Sequence, residues 1–130
     1  TRAEKVQKRA AQDGFDWPDL PPVFDKLEEE SAELKVEIEQ FSAQGFSSEE
    51  AHRRLTDEMG DVLFCCVNLA RFLKVSPDEA LRSTNNKFVS RFQYLEEKLL
   101  TPGKKLNETE LAELDALWDE AKLKLRSANT

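Results

Sequence analysis

The 130-residue sequence holds few side chains that could react on their own. Histidine occurs once, at His52, methionine once, at Met59, and cysteine only as the adjacent pair Cys65 and Cys66. No Cys/His spacing of a zinc site is present, and one histidine sustains no Ser-His-Asp arrangement here. Neighbouring cysteines on a helix point in different directions, so this pair reads as small hydrophobes of a reducing compartment. The four glycines build no phosphate-cradling loop. Long apolar runs are missing too. Stretches such as VLFCCV are far too short to span a bilayer, and no signal peptide opens the chain. The expectation is a soluble, cytoplasmic protein with no membrane partner. Basic residues are outnumbered 19 to 26, giving a formal charge of -7. That argues against nucleic acid as a partner, which needs a dense basic surface, and leaves open a small anion delivered with a divalent cation.

What the chain does contain is charge, 35% of all residues, and apolar side chains recurring at three- and four-residue steps. No run alternates strictly. The expected fold is therefore all-α, a bundle of four to five helices forming one domain over residues 1–130. The first helix covers about 2–12, ahead of the proline-stiffened loop GFDWPDLPP. The second runs from about Val23 to Ala43, with Gly45 as its stop. The third follows a Ser47/Ser48 cap to about Leu73, and the fourth opens on SPDE at Ser76 and reaches about Leu100. The fifth opens on NETE, with Asn107 as cap and Glu110 in the box position, and ends near Arg126. Hydrophobic residues are only 39% of the chain, a lean core that favours burial against a second subunit. The bare start at Thr1 and the weak tail RSANT suggest a piece of a longer chain.

Six glutamates crowd the stretch KLEEESAELKVEIE, from Lys26 to Glu39. With Leu27, Leu34, Ile38 and Phe41 as the apolar stripe, Glu30 falls about 60° to one side and Glu33 about 120°. On the third helix the stripe is Leu55, Met59, Val62, Cys66, Leu69 and Leu73, and Glu58 and Asp61 fall at the same offsets in the same sense. LEEESAEL and LTDEMGDV thus repeat one pattern 28 residues apart. Adjacent helices burying equivalent stripes bring equivalent flanks together, so four carboxylates can converge beside the core. Unrelieved, they repel and their pKa values rise. A hard divalent cation, magnesium or with manganese as substitute, resolves that conflict. A single E-x-x-E on a helix is ordinarily a solvated flank. The matched phase of two such pairs is what raises the metal reading to an even choice.

The fourth helix supplies the complementary charge. Its stripe is Leu81, Phe88, Phe92, Leu95 and Leu99, flanked by Lys87, Arg91 and Lys98, with Asn85 inside the stripe. Lys87 and Arg91, one turn apart, suit phosphate oxygens or, equally, surface ion pairs. Asn85 is either a core amide satisfied by backbone or a ligand contact. Trp17 and Trp118 read as core residues or as aromatics that stack on a base. His52 is expected to be exposed and away from the acids.

Together these residues resemble the MazG family of all-α nucleoside triphosphate pyrophosphohydrolases, most of all the C-terminal catalytic domain of MazG. The similarity runs from KVQKRAAQDGFDWPD to LDALWDEAK. It is carried by the hallmark E-E-x-x-E, here Glu29-Glu30-x-x-Glu33, by E-x-x-D, here Glu58-x-x-Asp61, and by the blocks MGDVLFCCVNLAR and NNKFVSRF. The resemblance implies that Glu30, Glu33, Glu58 and Asp61 bind magnesium and that Lys87 and Arg91 hold the triphosphate. It places Trp118 near the nucleotide, with Asn85 and Lys122 as looser substrate contacts, and makes Glu29 a candidate to orient the attacking water or serve a second metal. It also implies a homodimer or higher homo-oligomer. AQGFSS lengthens the hairpin between the two acidic pairs relative to the family. The activity so implied is hydrolysis between the α and β phosphates, in the service of clearing aberrant nucleotides or lowering a signalling pool. Two alternatives stand beside it: a relative acting on deoxynucleotides or phosphoribosyl-ATP, and a non-catalytic nucleotide-binding or oligomerisation module.

Overall fold

Pro21 and Pro22 lie inside the second helix, not before it. A helix's first turn has no internal acceptors for its N–H groups, so proline there costs no hydrogen bond and its fixed φ favours the turn. In the computed structural model, which describes residues 1–100 and 102–128, this helix starts three residues before the Val23 expected from sequence. The described residues form α1 (Arg2–Gln12), α2 (Leu20–Phe41), α3 (Glu49–Phe72), α4 (Pro77–Leu100) and α5 (Leu111–Ala128), with single 3-10 turns at Ser42–Gln44 and Leu106–Glu108 and no strand. The all-α expectation holds. No helix among the described residues is long and apolar enough to cross a membrane.

Local chemistry explains most boundaries. The Ser48 hydroxyl accepts the Ala51 N–H at 3.1 Å and starts α3, and Ser76 accepts the Glu79 N–H at 3.2 Å at the start of α4. After α2, the 3-10 turn closes on Gly45 at φ 68°, a left-handed position that glycine adopts without strain. One start differs from expectation. Asn107 does not cap α5: it sits within a 3-10 turn, where the Thr109 hydroxyl donates to the Lys105 carbonyl at 2.7 Å, and the helix begins at Leu111.

The chain divides into two compact units, Thr1–Glu79 and Ala80–Thr130. In the first, α2 packs along α3 and α1 lies on α3. Gln7 of α1 is buried and its Nε2 donates to the Phe64 carbonyl at 2.9 Å. The loop between α1 and α2 is tied to α3 by Arg71, whose two terminal nitrogens donate to Asp16 at 3.0 and 2.7 Å. Nη2 also donates to the buried Asn68 Oδ1 at 2.7 Å. The Arg71 guanidinium holds the Asp16 carboxyl below its ordinary range, as a bidentate charged pair does.

In the second unit Leu95, Leu99 and Ala121 are buried. The Tyr94 hydroxyl donates to Glu120 at 2.8 Å, and Phe88 packs on Trp118 at 5.1 Å between centroids. Only the end of the predicted α4 stripe is covered. Leu81, Phe88 and Phe92 are exposed, and so is Asn85, which therefore meets solvent and not a core that would demand a partner.

Candidate metal centre

The apolar stripes that hydropathy selects on α2 and α3 are covered only in part: Phe41 is buried and Leu27, Leu34, Leu55, Val62 and Leu69 are half-buried. On α2 the covered positions are Val23, Glu30 and Phe41, with Glu37 half-buried. On α3 they are Ala51, Cys65 and Asn68, with Glu58 half-buried. Positions 23, 30 and 37, and 51, 58 and 65, are spaced by seven, two helical turns, so each set shares one face. These faces meet in an antiparallel seam whose most deeply covered line lies roughly 40–60° from the centre of the predicted stripes. Carboxylates thus occupy the seam itself. Ile38 and Met59, expected in the core, are 40% and 43% exposed.

Glu30, Glu33 and Glu58 each bring one carboxylate oxygen to within 4.8 Å of the other two. Glu30 is the anchor: it is only 8% exposed, and Oε1 meets Lys26 Nζ, four residues back, at 3.0 Å. Its Oε2 is buried and receives no hydrogen bond, and Oε2 of Glu58 and of Glu37 are likewise buried and unpaired. Orphaned buried carboxylate oxygens are costly unless a cation or donor meets them.

The electrostatics report the same crowding. Glu33 is raised above the ordinary carboxylate range, first by its contact with Glu30 and then by Glu30's charge. Glu58 is raised first by desolvation and then by the charges of Asp61, Glu30 and Glu37. The buried Cys65 thiol is pushed up by its burial and next by Glu30, which places it against the seam. Lys26 is raised mainly by its bond to Glu30. The donor set is oxygen only, clustered and anionic, which suits magnesium or manganese and not a thiolate-loving metal.

The other expected site residues are placed as follows. Asp61 is exposed and outside the group of three, though its charge acts on Glu58. Glu29 is exposed and 3.6 Å from Lys26. In the second unit, Arg91 lies 5.8 Å over the half-buried Trp118 ring, while Lys87 on α4 and Lys122 on α5 are exposed. His52 is exposed, as expected. Two residues of the seam escaped the sequence reading. Glu37 continues the Glu30 line one turn beyond Glu33, and Arg54 of α3 reaches it at 3.8 Å. The seven-residue spacing from Glu30 was the available signal.

Residues 23–95 match the MazG nucleotide pyrophosphohydrolase domain, a span that includes the seam, Lys87 and Arg91. Over 120 residues, 92% of the chain, the sequence is 42% identical to the nucleoside triphosphate pyrophosphohydrolase/pyrophosphatase MazG of Thermotoga maritima. It is 38% identical over 121 residues to the nucleoside triphosphate pyrophosphohydrolase of Escherichia coli K12. An uncharacterized protein of Bacillus subtilis, YabN, is 49% identical over 76 residues, 58% of the chain and 16% of its own length. The chain spans 42% and 43% of the first two relatives.

Proposed function

The chain belongs to the MazG nucleotide pyrophosphohydrolase family, and on that premise we propose that it hydrolyses nucleoside triphosphates to the monophosphate and pyrophosphate. The observation that carries this reading is the oxygen cluster of Glu30, Glu33 and Glu58, in which Glu30 and Glu58 each have a buried, unpaired oxygen. Magnesium is the proposed cofactor, with manganese as substitute, held by those three and by Asp61. When bound it would polarise phosphate oxygens and help generate a nucleophile at neutral pH. Lys26 orients Glu30 through the 3.0 Å contact. Glu29, free on the solvent side apart from Lys26, is the proposed group that orients the attacking water for in-line displacement at the α phosphorus. Lys87 and Arg91 are proposed to bind triphosphate oxygens, Arg91 by its fork and Lys87 as a point charge. Asn85, Trp118 and Lys122 are proposed nucleoside contacts. The test is pyrophosphate release from ribo-, deoxyribo- and modified triphosphates, with magnesium and with chelator. Metal-dependent release supports the reading and ranks the bases; nucleotide binding without product would instead make the chain a binding module.

We further propose that the functional unit is a homodimer or higher oligomer. Leu34, Ile38, Phe46, Leu55, Met59 and Leu63 line an apolar surface cavity of about 630 Å³ beside the seam. Leu63 is 55% exposed and Phe46 43%, a clustered apolar surface of the kind that marks an interface. Light scattering is expected to give at least twice the 14.9 kDa chain mass, and Leu63→Glu to shift the particle toward that of one chain. A monomeric wild type would refute this.

A further inference from the structure

Arg91 on α4 is a cation without an acidic partner. Among the described residues the one charged, polar or ring partner of its guanidinium is the Trp118 ring, 5.8 Å away, although acidic residues outnumber basic ones 26 to 19 in this chain. A ring face attracts the cation and leaves its N–H donors free for another acceptor. Trp118 in turn packs on Phe88 at 5.1 Å. Two residues further along α5, Glu120 accepts the Tyr94 hydroxyl at 2.8 Å, and Lys98 lies 5.5 Å over the Tyr94 ring. The Tyr94 bond holds the Glu120 carboxyl below its ordinary range, while the Tyr94 hydroxyl is raised by burial and then by Glu120. With the fully covered Ala121 as the centre of the buried face of α5, Trp118 falls about 60° to one side and Glu120 about 100° to the other. The two contacts therefore grip opposite flanks of the helix. Turning α5 about its axis to draw Trp118 off Arg91 would stretch the bond to Tyr94.

Resting on the reading of Arg91 as a triphosphate contact, we propose that Tyr94 and Glu120 are positioning residues for the phosphate end of the site: their bond sets the rotation of α5, which seats Trp118 on Arg91 and steadies the guanidinium for phosphate oxygens. Neither residue has to touch substrate. An arginine whose rotamers are already restricted loses less freedom on binding. This role of Trp118, exerted through Arg91, is separate from any contact it makes with a nucleoside. A Tyr–Glu pair that merely joined two helices would change the melting temperature and leave phosphate affinity alone.

The test is calorimetric titration of the whole chain with inorganic tripolyphosphate in the presence of magnesium, a probe with no base or sugar, while far-ultraviolet dichroism checks helicity and melting. Tyr94→Phe is expected to weaken binding about tenfold, the low end of what one hydrogen bond to a charged group is worth. Glu120→Gln keeps a neutral acceptor and is expected to lose about threefold, since charge-assisted bonds are roughly twice as strong as neutral ones. Arg91→Met, with Lys87 still in place, should bind more weakly than wild type. Adding Tyr94→Phe to it should cost nothing further, because the pair acts through Arg91. Unchanged affinity in Tyr94→Phe, or the same loss in the Arg91→Met background, overturns the inference and leaves the triphosphate reading standing. A wild type that does not bind tripolyphosphate, or an Arg91→Met variant that binds it like wild type, overturns both.

Discussion

Glu58→Gln is expected to lower kcat/KM for magnesium-dependent pyrophosphate release by roughly 10²–10³-fold, the scale of losing one preorganised charge contact to a phosphoryl transition state. The substitution keeps shape and removes charge. Its helix should persist, because Glu58 makes no hydrogen bond that holds α3: its Oε2 is buried without one. What it loses is one of the three oxygens gathered within 4.8 Å. Glu30→Gln should cost about as much, since Glu30 is the most buried of the set and its partner Lys26 would be left beside a neutral amide. Asp61→Asn is expected to cost less, Asp61 being exposed and outside the trio. Steady-state kinetics on the three variants, each checked for helicity, decide it. If Glu58→Gln keeps more than half of wild-type turnover, the cluster is not the metal centre.

The carboxylates were legible because two patterns 28 residues apart repeat the same steps of three, which no isolated helix face requires. Their depth was not. Hydropathy ranks Leu27, Leu34 and Ile38 above any glutamate, so it assigns those to the core and the acids to a flank. The fold leaves Leu27 and Leu34 half-buried, covers Glu30 more deeply than either, and exposes Ile38. Glu30 is held there by Lys26 on its own helix and faces Glu58 on α3, and the second of these lies beyond the reach of a one-helix projection. Glu37 was signalled only by its seven-residue spacing from Glu30, while its partner Arg54 stands on α3. Helix starts were read well where one hydroxyl meets one N–H, at Ser48 and Ser76. They were misread at Asn107, where the Thr109 and Lys105 groups bond to each other and close a tighter turn first. The upper half of α4 shows another limit. Leu81 and Phe88 have a core-like spacing and are exposed, so periodicity states that a face is apolar without stating what covers it.

The largest stability effect is expected from magnesium, and its pH dependence should have the opposite sign to that of the metal-free chain. Glu33 and Glu58 are both raised above the ordinary 4.5 of a glutamate. Just above that value the folded chain therefore binds more protons than the unfolded one. Stability must then fall as pH rises from 4.5 through the raised pKa values, and stay at the lower level beyond them. Asp16 acts oppositely and elsewhere: its pKa is lowered from 3.8 by Arg71, so its contribution is lost only as pH drops below that range. The two windows do not overlap, and calorimetry on metal-free protein between about pH 4.5 and 8 reads the glutamates alone of these groups. Magnesium binds the ionised carboxylates, so its stabilisation grows with pH across the same window. At a hundredfold excess over its Kd it contributes about 2.7 kcal/mol, a rise in Tm of several degrees for a domain of this size. Glu58→Gln should raise the metal-free Tm at neutral pH, because a repelling charge is gone, and should abolish most of the magnesium increment. A metal-free Tm that climbs steadily to pH 8, together with a full magnesium increment in Glu58→Gln, would mean that these carboxylates are solvated and that the cation binds elsewhere.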